Sequence, residues 1–580
     1  MKNRTGYFAR WALAAIQAYK ERRGSILELR SLRGRRCVRL LLVLAAVGFA
    51  APSRAEEVSM PEQFIAADVQ HDVSPPLRTL SAMAVSGQAI PRIMPLHRLP
   101  LPPGGLQSDG ALQSNASIPL AASIGMNFDG LGVNTPGFTP IWTPPDTTGA
   151  AGLTQYVQWV NTSFTVFDKS SGQMLMSPLN GNAIWFGFGG GCAGRNDGDP
   201  IVNYDKQAKR WVLSQFTSAS PYLECVAVSA TDDATGVYYR YAFAMGPNFA
   251  DYPHMGVWPD GYYFSFNMFS GKPLVLVGGR ACAFDRNAML NNSTATAQCF
   301  DVPALFGSVP SDWDGASAPP LGSPNYFVTY GSNLLNIWSL HADFTNPANA
   351  NLNGPIALPV QSFTPACKEV EPGPILYPKK GNPEDAPGCV PQAGVAMKLD
   401  ELSDRMMYRA AYRNFGDHEA LVATHTVARV IEKKKKAIGA ALRWYEIRGL
   451  STTPNIYQQG TYAPDARWRW MGSIGMDFAG DIGIGYSLSA PGIHPHIAYT
   501  GRTPGDLAGT MESEGIIMAG KGSQRGMERW GDYSALSIDP SDDCTFWYTT
   551  EYIPKTGDAP NWQTRIASFK FPSCTGAGSY

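Results

Sequence analysis

The 580-residue chain is long enough for several small domains or for one large domain, and its length alone does not choose between them. Charged residues are 16% of the chain, whereas Gly (59), Pro (45), Trp (14), Tyr (25) and Phe (26) are abundant, which is typical of short strands and tight turns rather than of helical bundles. With 47 Lys and Arg against 48 Asp and Glu, the formal net charge is -1, so we expect no nucleic-acid partner.

The first predicted element is an export signal. Four arginines between positions 33 and 39 lead into an apolar run over residues 40–51, and small residues follow up to Ala55. We predict a leader and signal peptide over 1–55, whose long basic region leaves open an upstream start or an extended leader. No second apolar run of about 20 residues follows. We therefore expect an exported protein, periplasmic or extracellular, without a stable membrane span.

Residues 56–125 are rich in Pro, Ala, Ser and Leu, and five prolines between positions 91 and 103 interrupt any periodicity. This composition predicts a linker or loosely attached arm.

From residue 126 onward, short apolar and aromatic runs alternate with Asp, Gly and Pro, and this texture continues to Cys574. A strand-turn-strand pattern recurs, in which an Asp opens a tight turn and an apolar or aromatic run follows. Asp205 precedes Arg210-Trp211, Asp400 precedes Arg405 with the same spacing, and Asp477 and Asp539 open later examples.

Hairpins that recur over some 450 residues favour an all-β fold, a β-propeller of six or seven blades over residues 126–580. In a propeller, each small sheet buries its apolar face against the next blade. Two β-sandwich domains in tandem could use the same hairpins. The argument against them is that the same alternation of apolar runs and turn residues continues without a break. We expect a monomer.

The sequence has nine cysteines, and Cys37 lies in the predicted leader. The eight that remain are an even number, which in an exported chain indicates disulfides. Metal ligation is less well supported, because the sequence has no C-x-x-C pair. Sequential pairing would close four modest loops, and we favour Cys192–Cys225, Cys282–Cys299, Cys367–Cys389 and Cys544–Cys574.

Residues 196–200 read Asn-Asp-Gly-Asp-Pro and place three oxygen-bearing side chains around a Gly, as a calcium-binding turn does. Asn196, Asp197 and Asp199 are thus candidate ligands of a structural calcium, the one cofactor that the sequence suggests. The segment lacks the Glu of an EF-hand loop, and an Asx turn that begins the next strand explains the same residues.

The densest polar cluster lies between residues 409 and 419. On a strand, Arg409, Arg413, Asp417 and Glu419 would share one face, which could order guanidinium and carboxylate groups together. The alternative is an ion-pair network that fixes neighbouring blades.

The hairpin that contains Asp539 resembles the Asp-box of sialidase-like propellers. Ser537-x-Asp539 and Thr545-x-Trp547 match its pattern with extra residues between them and without its Gly. The segments 408–419 and 529–534 are similar to a group of exported bacterial proteins of unassigned activity. This resemblance implies a propeller and brings no established function.

In sialidases, three arginines hold the substrate carboxylate, a tyrosine activated by a glutamate attacks, and an aspartate is the acid/base. The resemblance offers six residues for these roles: Arg413, Arg502, Arg529, Tyr533, Glu419 and Asp532. The Phe-Arg-Ile-Pro motif of sialidases is missing from this region, so a different glycoside hydrolase or a polysaccharide lyase fits better. We expect a propeller that recognises a glycan or cell-surface polymer and, if it is an enzyme, cleaves it. The alternative is a non-catalytic binding or scaffold propeller.

Overall fold

The computed structural model describes residues 61–80, 92–367, 388–431 and 436–576. The predicted leader, residues 1–55, lies outside the described residues. Within these described ranges, two short helices, α1 (Gly190–Gly194) and α2 (Arg286–Leu290), and three 3-10 turns accompany the strands. The 3-10 turns are Leu77–Thr79, Gly181–Trp185 and Pro347–Asn349.

Five strands precede the first repeated sheet: β1 (Glu62–Val73), β2 (Arg92–Ile93), β3 (Leu112–Gln113), β4 (Ser123–Gly132) and β5 (Trp142–Thr143). Apart from the short pair β30 (Gln524–Arg525) and β33 (Gly557–Asp558), the remaining strands form seven antiparallel meanders, blades 1 to 7, of four strands each, and β4 is the fourth strand of blade 7.

Blade 1 contains β6 (Thr147–Ala151), β7 (Gln155–Val160), β8 (Ser163–Asp168) and β9 (Leu179–Asn180). Blade 2 contains β10 (Ile201–Asp205), β11 (Arg210–Phe216), β12 (Leu223–Ser229) and β13 (Tyr238–Ala244). Blade 3 contains β14 (Phe249–Val257), β15 (Gly261–Ser270), β16 (Val275–Asp285) and β17 (Thr296–Val302). Blade 4 contains β18 (Val309–Asp314), β19 (Asn325–Gly331), β20 (Leu334–His341) and β21 (Asn351–Pro359).

Blade 5 contains β22 (Ala410–Asn414), β23 (Glu419–Ile431), β24 (Lys436–Arg448) and β25 (Asn455–Tyr462). Blade 6 contains β26 (Trp468–Met476), β27 (Ile482–Ala490), β28 (Ile493–Arg502) and β29 (Gly515–Met518). The short strands β30 (Gln524–Arg525) and β33 (Gly557–Asp558) pair with each other. Blade 7 contains β31 (Ala535–Ile538), β32 (Phe546–Tyr552), β34 (Gln563–Lys570) and β4.

The first strand of each blade is its innermost strand, and these seven strands form a closed ring. β6 contacts β10, and the contacts continue through β14, β18, β22 and β26 to β31, which contacts β6 again. A ring of meander sheets around a central channel is a β-propeller. The protein is thus an all-β propeller, as the hairpin pattern predicts; the blade number is seven, and the tandem-sandwich alternative is wrong.

Strands from the amino-terminal part of the chain hold the ring together. β4 pairs with β34 and so completes blade 7 from the opposite end of the chain. β1 lies between β13 and β17 and joins blades 2 and 3 into one sheet. β3 pairs with β25 of blade 5. The segment expected to be a linker or arm is therefore hydrogen-bonded along the propeller at these strands.

Apolar side chains on both faces of the strands fill the spaces between blades. At the closure, Tyr156 and Phe167 of blade 1 pack with Trp547 and Ile566 of blade 7. Blades 6 and 7 approach so closely at Gly485 that a Cβ there would lie 2.4 Å from the Tyr548 ring. Burial of such faces on every blade is the main favourable term for the fold.

All four predicted disulfides are confirmed: Cys192–Cys225, Cys282–Cys299, Cys367–Cys389 and Cys544–Cys574. Four disulfides are typical of proteins that fold in an oxidising compartment. Among the described residues, no helix combines the length and apolar character that crossing a membrane requires.

Candidate active site at the mouth of the channel

The amino-terminal ends of the innermost strands gather at one end of the central channel, which we call the mouth. Each blade repeats the same meander from its innermost strand outward, so these strands run in one direction, as the parallel pair β18–β22 shows. Loops just before the innermost strands therefore face one another. Six carboxyl groups, the mouth carboxyls, come together there: Asp146, Asp199, Asp251, Asp400, Asp532 and Glu551.

The loop before β31 organises the mouth. The buried guanidinium of Arg529 lies 2.5 Å from Asp400 and 2.7 Å from Asp532. The backbone N–H groups of Trp530 and Asp532 donate to Asp400 and Asp146, each at 2.7 Å. One short loop thus binds its own Asp532 and carboxyl groups from two other parts of the chain.

Burial raises the pKa values of several mouth carboxyls. It raises the pKa of Asp146 and of Asp199 well above the usual range, and neighbouring carboxylates, including Asp532, raise both further. Burial also raises the pKa of Asp400 to about 6 against the lowering effect of Arg529. Asp532, by contrast, is ion-paired with Arg529. Asp199, a carboxyl group with a raised pKa, therefore lies near Asp532, a carboxyl group that is ion-paired with Arg529.

Tyrosine rings line the channel below these groups. The Tyr533 hydroxyl donates to Asp199 at 3.1 Å, and its ring lies 5.2 Å from the imidazole of His254. Tyr252 and Tyr408 also contact that imidazole, at 4.3 and 5.7 Å between ring centroids. Within the described residues neither ring nitrogen of His254 has a hydrogen-bond partner. Burial lowers the pKa of His254 to about 3, so the ring is neutral.

Deeper in the channel, the ionic groups neutralise one another. Arg409 pairs with Asp312 at 2.9 Å and also with Asp314, which binds Lys206 as well. Asn203 donates to Asp312 at 3.2 Å. This part of the channel is filled by a structural ion-pair network.

Residues 92–99, the cover segment, cross the mouth. The carbonyl oxygens of Met94 and His97 accept hydrogen bonds from Arg529 (3.1 Å) and Arg405 (2.8 Å). The Leu99 N–H donates to Asp404 at 2.8 Å, and the His97 ring lies 3.1 Å from Asp251. Asp146 and Asp199 are buried, and Met94 of the segment lies against Gly198, the residue before Asp199.

Three of the predicted catalytic residues, Arg529, Asp532 and Tyr533, meet at the mouth. They lie beside Asp199, which the sequence suggested as a calcium ligand. Arg409 belongs to the deeper ion-pair network.

The other four predicted catalytic residues lie elsewhere. Arg413 forms two bonds of 2.7 Å with Asp543, and Arg502 donates to backbone carbonyls of residues 506 and 510. Glu419 accepts from the Tyr412 hydroxyl at 2.6 Å and also binds Ser451, while the side chain of Asp417 is 84% exposed.

The three arginines suggested by the sialidase resemblance are each engaged by a different set of groups. Arg413 lies in β22 of blade 5, Arg502 ends β28 of blade 6, and Arg529 precedes blade 7. The structure does not bring their guanidinium groups to one substrate carboxylate.

The candidate calcium ligands point to different partners. Asn196 donates to the carbonyl of Thr162 at 2.9 Å, and Asp197 accepts from the Ser218 N–H at 2.7 Å. In the part of the chain that the structure describes, one group of three His, Cys, Asp or Glu side chains has its ligand atoms within 4.8 Å of one another. It consists of Cys367, Cys389 and Glu401, whose cysteines form a disulfide. The calcium stays a prediction.

Sequence reasoning missed Asp146, Asp251, Asp400, Glu551 and His254 as site residues. A signal exists for part of this set: an Asp stands one to three residues before the innermost strands of blades 1, 2 and 7. Asp146 and Asp199 both have a left-handed backbone, with φ of 43° and 45°. Non-glycine residues adopt this conformation mainly in turns and functional sites.

No protein-family model matches the sequence, and no curated protein matches it. Solved structures with similar arrangements include the WD40 domain of SCAP from fission yeast (10% identity, 69% of this chain and 77% of that chain, TM-score 0.27). A mutant of Trypanosoma rangeli sialidase displaying trans-sialidase activity is 8% identical over 78% of this chain and 59% of that chain, with a TM-score of 0.28.

Phage phi92 endosialidase is 7% identical over 78% of this chain and 69% of that chain, with a TM-score of 0.30. These likenesses are too low to carry an argument, and the propeller assignment rests on the ring of strands. The Asp-box resemblance stays a prediction, although Asp539 does open the β31–β32 hairpin and accepts from the Trp547 indole at 2.8 Å.

Proposed function

We propose that the protein is an exported propeller that binds a carbohydrate polymer at the mouth and hydrolyses its glycosidic bonds by general acid–base catalysis. The observation that carries the proposal is the buried carboxyl of Asp199, hydrogen-bonded to Tyr533, near the carboxyl of Asp532, which is ion-paired with Arg529. Glycoside hydrolysis needs one carboxyl group that donates a proton to the leaving oxygen and a second that acts as base or nucleophile.

In this assignment, Asp199 is the general acid, because burial raises its pKa well above the usual range. Asp532 is the base or nucleophile, and it is ion-paired with Arg529. Tyr533 bonds to Asp199 and lies next to Asp532 in sequence, so it fixes the acid beside its partner.

A non-catalytic binding propeller is the second candidate. The burial of Asp146 and Asp400, both fully inaccessible, is also what a structural polar network shows. In this case the mouth carboxyls hold the loops of several blades in place, and a glycan binds without turnover.

The test is release of reducing ends from a panel of neutral, acidic and amino-sugar polysaccharides. Because the mouth is buried, the full-length mature chain is compared with a cover variant, Arg98→Glu/Leu99→Ser. We expect turnover that is lost in Asp199→Asn and in Asp532→Asn, with the fold retained by circular dichroism. Asp232→Asn, an exposed residue between β12 and β13, is the matched control. Glycan binding without turnover would favour the second candidate, and the absence of both would refute the proposal.

A further inference from the structure

The cover segment occupies the mouth as a bound chain would. It contributes the two-residue strand β2 and then runs on without strand structure to Leu99. Its backbone carbonyls meet the two guanidinium groups of the mouth, Arg529 and Arg405. These donors therefore bind an oxygen acceptor that comes from outside the propeller ring, as they would bind an oxygen of a ligand.

Charge also matches across this contact. The mouth is acidic, and the cover segment brings basic groups to it. Arg98 lies 3.6 Å from Glu401, and the imidazole of His97 lies 3.1 Å from Asp251. Complementary charge of this kind favours a specific partner at an acidic surface.

The segment packs closely against two loops of the mouth. A Cβ at Gly198, where φ is 100°, would meet Oδ1 of Asn161 first and would stand 2.8 Å from Cε of Met94. A Cβ at Gly307, where φ is 64°, would stand 3.2 Å from Cδ1 of Leu99 and 3.3 Å from Cα of Arg405. The positive φ at both positions favours glycine, and the apolar side chains of the segment lie directly against these turns.

Only part of the segment is buried. Met94, Leu96 and Leu99 are buried, and Leu99 packs with a small aromatic group that includes Phe249. Ile93, by contrast, is 56% exposed. A short segment held by three apolar side chains and a few polar bonds opens more easily than a blade strand does.

We propose that residues 92–99 are an internal ligand of the mouth, which keeps the site closed until the segment is displaced. The nature of the external ligand rests on the proposed function, whereas the closure does not. Displacement exposes the mouth carboxyls and frees Arg529 and Arg405 to bind oxygen acceptors of the incoming chain.

Carboxyl labelling tests the closure without any glycan. The mature protein is treated with a carbodiimide and glycine ethyl ester, and labelled carboxyls are located by mass spectrometry. We expect Asp146, Asp199 and Asp532 to be protected in the native protein and labelled at least ten times faster in Arg98→Glu/Leu99→Ser. Ile93→Ser, a change at an exposed position of the same segment, should retain the native protection. Equal labelling in the native protein and the double variant would overturn the proposal.

A second measurement covers the case in which the double variant loses its fold. A fluorescent peptide with the sequence of residues 92–99 is titrated against Arg98→Ala and against the native protein. We expect the peptide to bind Arg98→Ala at least tenfold more tightly, because the weakened internal segment competes less well, and the same peptide with Glu at position 98 to bind neither. Equal affinity for the two proteins would contradict the inference. Because neither assay contains a glycan, their failure is separate from failure of the proposed function.

Discussion

Replacement of Glu224 by glutamine should remove one defined contribution to the pH dependence of the protein's stability. Glu224 lies in β12 and is fully buried. Burial raises its pKa to about 8, against the lowering effect of the Ser214 side chain. The folded protein therefore holds this carboxyl neutral at pH values where the unfolded chain ionises it.

The sign follows from proton binding. Between the unfolded pKa of 4.5 and the folded pKa of about 8, the folded state binds more protons than the unfolded state, so stability falls as pH rises. Over the interval from pH 5 to pH 8 the carboxyl of Glu224 should cost about 3 to 4 kcal/mol. Glutamine at this position does not titrate, so Glu224→Gln should lack this loss.

The assay is urea unfolding of the native protein and Glu224→Gln at pH 5, 6.5 and 8. The buried glutamine amide lowers the free energy of unfolding by the same amount at each pH, so the comparison uses only how the difference in free energy of unfolding between the two proteins changes with pH. From pH 5 to pH 8, we expect this difference to shift in favour of the variant by about 3 to 4 kcal/mol. Infrared spectra should also lose one protonated-carboxyl band in the variant. A difference that stays constant with pH would refute the reasoning about Glu224.

Two further substitutions test a buried ion pair and the packing between blades through their effect on stability. Arg413→Met should lower the free energy of unfolding by about 3 to 5 kcal/mol, because it breaks a buried ion pair with Asp543; an unchanged urea midpoint would contradict this. Gly485→Ala should destabilise by about 1 to 3 kcal/mol, because its Cβ would meet the Tyr548 ring. Gly492→Ala, which meets nothing within 4 Å, is the matched control, and equal thermal midpoints of the two alanine variants would count against the account of blade packing.

The hairpins could be predicted from the sequence because their turn chemistry is local. Asp205 accepts the N–H of Ala208 between β10 and β11, and Asp477 accepts that of Ala479 between β26 and β27. The same spacing at Asp400 and Arg405 predicted a hairpin turn, and this prediction is wrong. These two residues lie in a loop before β22, where Asp400 binds Arg529 across the mouth. Such a long-range ion pair leaves no trace in local spacing.

The closure of the ring is not visible in the sequence for the same reason. β4 pairs with β34, whose residues stand more than 400 positions later in the chain. The amino-terminal segment was predicted as a linker from its prolines, yet β1 extends the sheets of blades 2 and 3. A strand that completes a distant sheet needs few local turn signals, so composition alone could not reveal it.

The candidate site was predicted only in part. Arg529, Asp532 and Tyr533 are consecutive or nearly so, and one loop carries them to the mouth together. The sequence pattern placed Arg409, Arg413 and Glu419 on one strand, but Arg413 lies in β22 and Glu419 begins β23 after a turn. Their partners come from other blades or loops, and alternation along one strand does not identify them.

The most direct test of the account is glycan turnover by the cover variant, Arg98→Glu/Leu99→Ser, with and without Asp199→Asn. The account predicts that the cover variant releases reducing ends faster than the native protein does, and that Asp199→Asn abolishes this release while the fold is retained. Turnover that is unaffected by Asp199→Asn, or that is absent from every form of the protein, would contradict the claim that the mouth of the channel is the active site.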